Sequence, residues 1–145
     1  MDDAVWAVAS DHAGFALKQQ VKGWLAARGL TVLDLGTHSE ARTDYPDWGH
    51  AAAEAIVSGR ASRAVIVCGS GIGISIAANR HAGVRAALCH DEYTARMARA
   101  HNDANVLALG ARVVGDGVAE AIVAAFVAAP FEGGRHAERV ARIDR

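Results

Sequence analysis

Short runs of apolar residues alternate with longer amphipathic stretches along most of the chain. The apolar runs contain β-branched residues and few charges, as buried strands do, and they span residues 5–10, 31–35, 63–68, 84–88 and 106–109. Apolar side chains recur at helical spacing between them, which predicts helices over residues 14–28, 47–58, 73–80, 91–100 and 118–128. The polar tail predicts a further helix from about Arg135.

Each predicted helix places its apolar side chains on one face, which we expect to be buried. Gly29 and Gly59 follow the first two helices and end them. The residues expected to face inward are Leu17, Val21, Trp24 and Leu25, then Trp48, Ala52, Ala55 and Ile56, then Tyr93, Met97 and Ala100, and last Val118, Ile122, Val123 and Phe126.

Strand–helix alternation at this spacing predicts a parallel sheet with helices on both of its faces. The expected fold is α/β: a single doubly wound, Rossmann-like domain over residues 1–145, with about five parallel strands and a C-terminal helix. A chain of 145 residues is long enough for such a domain to bury roughly two-thirds of its unfolded surface. No repeat, low-complexity segment or linker divides it.

Composition and charge narrow the choice of partners. Hydrophobic residues make up 52% of the chain, charged residues 21%, and the formal net charge is −1, so we expect neither a nucleic acid nor a membrane as partner. The start, MDDAVWAVAS, has no basic region typical of a signal peptide, and no apolar stretch approaches the ~20 residues that span a bilayer. Two cysteines without CxxC spacing suggest reduced thiols, and a cytoplasmic location is expected.

Polar residues follow the predicted strands at their carboxyl ends, where ligands bind in sheets of this kind. The segments are Ser10-Asp11-His12, Cys68-Gly69-Ser70-Gly71, Cys89-His90-Asp91 and Gly110-Ala111-Arg112.

The segment VIVCGSGIGISIAANR at residues 65–80 has several interpretations. A dinucleotide fingerprint starting at Gly69 needs glycine at position 74, and a cysteine-dependent phosphatase loop needs arginine there, but the residue is Ile74. A buried cysteine beside glycines that allow close packing is a third possibility. In a fourth, the thiolate of Cys68 acts as a base beside glycine amides that hold an oxyanion, and Ser70 hydrogen-bonds the sulfur.

Five segments in order resemble the type B ribose-5-phosphate isomerases, a family that includes galactose-6-phosphate and allose-6-phosphate isomerases. They are DHAG at 11–14, RTDYPD at 42–47, CGSGIGISIAAN at 68–79, HNDANVLALGAR at 101–112 and EGGRHAERV at 132–140. Ser70 stands where threonine is common in the family. Some members carry a glutamate base elsewhere in this loop, but Ile72, Ile74 and Ser75 offer no carboxylate, so the resemblance points to Cys68.

The resemblance implies an aldose–ketose isomerase without metal or cofactor that interconverts ribose 5-phosphate and ribulose 5-phosphate through a cis-enediolate. By this resemblance we expect Cys68 to be the base and His101 to open the sugar ring, with Asp11 and Ser70 also in the catalytic group. The resemblance further implies an anion hole formed by Gly69, Ser70, Gly71, Ile72 and Gly73. Asp11, Asn102 and Tyr45 would contact the sugar. The phosphate would be held by His12, Arg112, Arg135 and Arg139. The family also implies a homodimer, or a tetramer built from it, with sites shared between subunits.

Several of these residues have plainer interpretations. Arg135 and Arg139 are four apart and share a helical face, which suits phosphate but also simply complements the helix dipole. His101, taken alone, could be a helix C-cap residue. Cys89 is expected to pack in the core, since no glycine loop follows it. Four further histidines are expected at the surface or in hydrogen bonds, since no HExxH pair indicates a metal site: His38, His50, His81 and His90. Sugar length stays open, and a nucleotide-binding module using GSGIG remains the alternative class.

Overall fold

The predicted apolar runs form one five-stranded parallel sheet in a computed structural model that describes residues 4–145. The strands are β1 (Val5–Ser10), β2 (Thr31–Gly36), β3 (Arg63–Cys68), β4 (Ala86–Leu88) and β5 (Val106–Gly110), in the order β2-β1-β3-β5-β4. The helices are α1 (Phe15–Ala27), α2 (Tyr45–Val57), α3 (Ile72–Asn79), α4 (Glu92–Ala100), α5 (Asp116–Ala128) and α6 (Arg135–Ile143). The expectation that the chain has no signal peptide rests partly on residues 1–3, which lie outside the described residues.

Alternation along the strands divides the core between the two faces of the sheet. Val65 and Val67 of β3 pack with α1, α4 and α5, whereas Ala64 and Ile66 pack with α2 and α3. The predicted doubly wound α/β fold with a C-terminal helix is therefore confirmed. Over residues 4–145, no helix combines the length and apolar character that crossing a membrane requires.

Two of the predicted helix faces are wrong in part. Tyr93 is 62% exposed and its ring lies against the Arg96 guanidinium, because α4 turns its alanines toward the core, among them Ala95 and Ala98. Val118 is 49% exposed because α5 buries Ala119 in its place. In both helices alanines take the buried positions, so the large apolar side chains alone do not indicate which face is inward.

The second helix begins earlier than predicted, at Tyr45 rather than at residue 47. Pro46 lies in the first turn, where a missing N–H costs no hydrogen bond, so the Tyr-Pro pair belongs to the helix and not to the preceding loop. This start places the Tyr45 ring beside the segment after β3.

Successive strands are added to the sheet in opposite directions on either side of β1, with β2 on one side and β3 on the other, which leaves a crevice at the carboxyl ends of β1 and β3. The Asp11 N–H donates to the Val67 carbonyl oxygen at 3.3 Å, tying the two strand ends together. Gly14 lies so close to β3 that a Cβ atom there would be 2.5 Å from the same oxygen. The crevice therefore brings Asp11 and Cys68 to one place.

Candidate active site

Cys68 ends β3, and a three-residue turn separates it from the start of α3. The Gly71 N–H donates to Cys68 Sγ at 3.2 Å, an arrangement that favours negative charge on the sulfur. Gly71 has φ 78°, and a Cβ atom there would lie 2.6 Å from Leu88 Cδ1 and 2.8 Å from the Leu109 carbonyl carbon. Only glycine fits this position, so the turn that points an N–H at the sulfur is fixed by the sequence.

Of the other amides at this turn, that of Ile72 is hydrogen-bonded, whereas those of Ser70 and Gly73 have no partner among the described residues. The Ile72 N–H donates to Ser70 Oγ at 3.2 Å, so this hydroxyl oxygen faces the helix start, and the predicted hydrogen bond from Ser70 to sulfur does not form. Within residues 4–145, the N–H groups of Ser70 and Gly73 make no hydrogen bond. Both amides lie close to the N-terminus of α3 and are free to hold an oxyanion.

A cleft of about 600 Å³ opens in front of the turn. The Tyr45 ring covers Gly73, where a Cβ atom would lie 2.6 Å from the ring carbon Cζ. Arg112 lies across from Gly69, where a Cβ atom would be 3.5 Å from a guanidinium nitrogen. The lining residues are Asp11, Tyr45, Cys68, Gly69, Ser70, Ile72, Gly73, Ile76, Arg112 and Val113. Eight of these ten are sequence-predicted site residues.

Asp11 and His12 lie where β1 enters the crevice, and both have local partners. Asp11 is buried, and its Oδ1 accepts the Gly14 N–H at 3.0 Å. The Nδ1 atom of His12 lies 3.2 Å from the backbone nitrogen of Thr43 and 3.1 Å from its carbonyl oxygen, which fixes the ring plane.

The structure does not bring the other predicted residues into this cleft. His101 is the C-cap residue of α4, and its exposed neighbour Asn102 borders a different cavity beside the C-terminus. Arg135 and Arg139 are neighbours on α6 as predicted, at a small third cavity. Within one chain, the predicted site residues therefore lie at separate places on the surface.

His101, Glu132 and His136 form a cluster that sequence analysis missed. Glu132 Oε1 lies 3.6 Å from Nε2 of each histidine, and the two rings are stacked with centroids 4.2 Å apart and planes 9° apart. His101 follows α4, whereas Glu132 lies in the loop before α6 and His136 in the first turn of α6, so the two histidines are 35 residues apart in the chain and no short motif joins them. The only signal was EGGRH beside a predicted helix start.

By spacing alone this cluster is the one group of three or more candidate metal ligands within residues 4–145. An imidazole binds a metal through a nitrogen lone pair that lies in the ring plane. Two nearly parallel, stacked planes cannot both contain one ion, so the observed ring arrangement does not suit a metal.

Cys89 and the remaining histidines fit the plainer interpretations. Cys89 is buried in the core, and burial, together with the nearby Asp91 carboxylate, raises the pKa of its thiol despite a hydrogen bond from Thr94. His50 Nδ1 and His81 Nε2 lie 2.7 Å apart. His38 and His90 are exposed.

Comparison with known proteins settles the family. A family model described as Ribose/Galactose Isomerase matches residues 6–143. The chain belongs to the ribose/galactose isomerase family. It is 49% identical over 133 residues to ribose-5-phosphate isomerase B of Escherichia coli, covering 92% of this chain and 89% of that protein. It is therefore an aldose–ketose isomerase of this family, and the resemblance to the type B enzymes is confirmed.

Two further relatives place it within the ribose/galactose isomerase family. Ribose-5-phosphate isomerase B of Clostridium thermocellum has a solved structure that superimposes with a TM-score of 0.95 at 51% identity, covering 97% of this chain and 95% of that one. D-erythrulose-4-phosphate isomerase of Pectobacterium atrosepticum is 43% identical over 138 residues, covering 94% of this chain and 91% of that protein. Family members named for different sugars are thus similar to this chain.

Proposed function

We propose that this isomerase interconverts ribose 5-phosphate and ribulose 5-phosphate, with Cys68 as the proton-transferring base and no metal. The observation that carries the proposal is the Cys68 sulfur, which receives the Gly71 N–H at the edge of a cleft that also holds Asp11 and Arg112. Similarity to relatives named ribose-5-phosphate isomerase B supports the choice of substrate.

In the proposed reaction the open-chain aldose lies with C2 beside the Cys68 thiolate. The thiolate takes the C2 proton, and the electrons of that C–H bond form the C1–C2 double bond while the C1 carbonyl becomes an enediolate oxygen. The free amides of Ser70 and Gly73 stabilise that charge. The proton on O2 then passes to O1, which becomes a hydroxyl, and the Cys68 thiol returns its proton to C1, leaving the C2 ketone and the thiolate. His101 opens the furanose by moving a proton between the anomeric hydroxyl and the ring oxygen.

A second copy of the chain completes the site in this proposal. The Cys68 cleft of one chain lacks His101, Asn102, Arg135 and Arg139, while its rim carries four exposed apolar side chains that a partner would cover. These are Tyr45 at 43% exposed, Ile72 at 53%, Ile76 at 55% and Val113 at 55%. A homodimer with two shared sites accounts for both observations.

A four-carbon sugar phosphate is the second candidate substrate. The relative named D-erythrulose-4-phosphate isomerase is 43% identical to this chain, and one altered pocket contact can change the preferred sugar length.

The test is an isomerase assay on ribose 5-phosphate, erythrulose 4-phosphate and galactose 6-phosphate with protein dialysed against EDTA. We expect the highest kcat/KM with ribose 5-phosphate and no loss of rate after dialysis. A higher kcat/KM with the four-carbon substrate would establish the second candidate. Activity lost with EDTA and restored by zinc or manganese would contradict the metal-free mechanism.

A further inference from the structure

The cluster of His101, Glu132 and His136 has a geometry that ring opening alone does not explain. Both Nε2 atoms face the same carboxylate oxygen of Glu132 at 3.6 Å, a separation that makes an ion pair with whichever imidazole is protonated. Glu132 is held near His101 because its N–H donates to the carbonyl oxygen of Ala100 at 3.0 Å. The segment before α6 is thereby fixed to the end of α4.

Stacking limits the charge that the two imidazoles can carry together. Two imidazolium rings 4.2 Å apart would repel each other, so the pair carries one positive charge at a time. His136 is 7% exposed, and the pKa of its ring is lowered by burial first, then by the charges of His101, Arg135 and Arg139, against the opposing effect of Glu132. Burial and these neighbouring charges therefore disfavour a proton on His136, so its ring serves as a neutral stacking surface for His101.

We propose that Glu132 and His136 are positioning residues for His101: the Glu132 carboxylate holds its imidazolium through Nε2, and the His136 ring fixes its plane by stacking. Within the described residues Nδ1 of His101 makes no hydrogen bond, so it is the ring nitrogen available to the sugar in this proposal. A carboxylate behind an imidazole orients the ring and stabilises its charged form, as second partners of functional histidines commonly do. The inference rests on the proposed role of His101 in ring opening.

Ribulose 5-phosphate separates the two parts of the reaction. Its C5 oxygen carries the phosphate, so it cannot close a furanose ring, whereas ribose 5-phosphate is mostly cyclic. Exchange of a C1 hydrogen of ribulose 5-phosphate for deuterium in D2O requires proton transfer at Cys68 but no ring opening. The experiment measures, for each variant, this exchange by NMR and the conversion of ribose 5-phosphate to ribulose 5-phosphate.

Glu132→Gln keeps the side-chain shape and removes the charge. We expect conversion of ribose 5-phosphate to fall about fivefold, in keeping with a partly exposed ion pair, while C1 exchange stays within twofold of wild type. Glu120→Gln, an exposed glutamate on α5, is the matched control and should change neither rate. An equal loss of both rates would make Glu132 merely structural, and no loss in either would remove it from the mechanism.

His136 is tested by replacing its ring. His136→Ala removes the stacking surface and should lower conversion with exchange preserved, whereas His136→Phe keeps a neutral ring and should restore most of the conversion. A phenylalanine variant as impaired as the alanine variant would overturn the stacking role. If wild-type protein neither converts ribose 5-phosphate nor exchanges the C1 hydrogen, the proposed function fails instead.

Discussion

The two cysteines lie in two different environments, and each environment follows from the position of the residue in the fold. Cys68 lies at a strand end and receives an N–H from the turn before α3, while Cys89 is enclosed in the core with the pKa of its thiol raised by burial. The glycine pattern after Cys68 made this difference predictable from sequence. No comparable pattern indicated Glu132 or His136, because each contacts His101, which is more than 30 residues away in the chain.

Replacing each cysteine in turn tests that difference. Cys68→Ala should lower kcat at least ~10²-fold, as loss of a general base does, with an unchanged melting temperature. Cys89→Ala is the matched control and should keep near-normal turnover. Iodoacetamide should modify Cys68, and bound ribose 5-phosphate should slow that modification. Near-normal kcat in the Cys68 variant would exclude the thiol as the base.

At the scale of the element, α1 carries a lysine that the hydrophobic pattern does not predict to be buried. Lys18 has no exposed surface, and its Nζ lies 2.6 Å from Asp34 Oδ1 in β2, while Lys22 Nζ lies 2.7 Å from Oδ2. Burial alone would raise the pKa of the Asp34 carboxyl, but the two ammonium groups and the Gly36 N–H outweigh it and lower the pKa. The triad thereby fixes α1 on the sheet edge.

This lowered pKa sets a pH dependence of stability. A carboxylate with a depressed native pKa stabilises the fold above its unfolded value of ~3.9, and that contribution is lost as pH falls through the native value. Asp34→Asn should cost about 3–5 kcal/mol at pH 7, because it leaves Lys18 buried without its charge partner. Urea unfolding from pH 7 down to pH 3 should show a smaller acid loss in this variant than in wild type.

The exposed hydrogen bond from Gln20 to Asp116 supplies the control for that experiment. Asp116→Asn should change the unfolding free energy by no more than ~0.5 kcal/mol at any of these pH values. If Asp34→Asn behaves in the same way, the Lys18 contact contributes no stability.

The resemblance predicts that the C-terminal helix α6 binds the substrate phosphate. Within a single chain, however, α6 does not border the Cys68 cleft. If Arg139 binds the substrate phosphate, Arg139→Ala should raise KM for ribose 5-phosphate roughly 10- to 100-fold, the effect of one charge-assisted hydrogen bond. Any turnover of unphosphorylated ribose should barely change. Arg28→Ala, at the end of α1, should leave both unaffected. Equal losses on the two substrates would indicate a structural role for the helix.

At the scale of the whole molecule, hydrophobic periodicity was enough to predict the sheet, because strand and helix periods differ clearly. Strand order was not predictable, since it depends on pairing between distant segments such as β3 with β5. The family resemblance implied both a set of site residues and a site shared between two subunits, and both stay predictions. Cys68 and His101 follow different elements, and whether one cleft needs both depends on a second chain that sequence patterns do not reveal.

Mixing two inactive variants tests this assembly most directly. Cys68→Ala and His101→Ala are combined in equal amounts, their subunits are allowed to exchange, and isomerase activity on ribose 5-phosphate is measured. In a mixed dimer with shared sites, one site carries both substitutions and the other carries neither, so random pairing should restore roughly a quarter of wild-type activity. Pull-down with differently tagged subunits confirms the exchange. If exchange is complete and no activity returns, Cys68 and His101 do not serve one site from two chains.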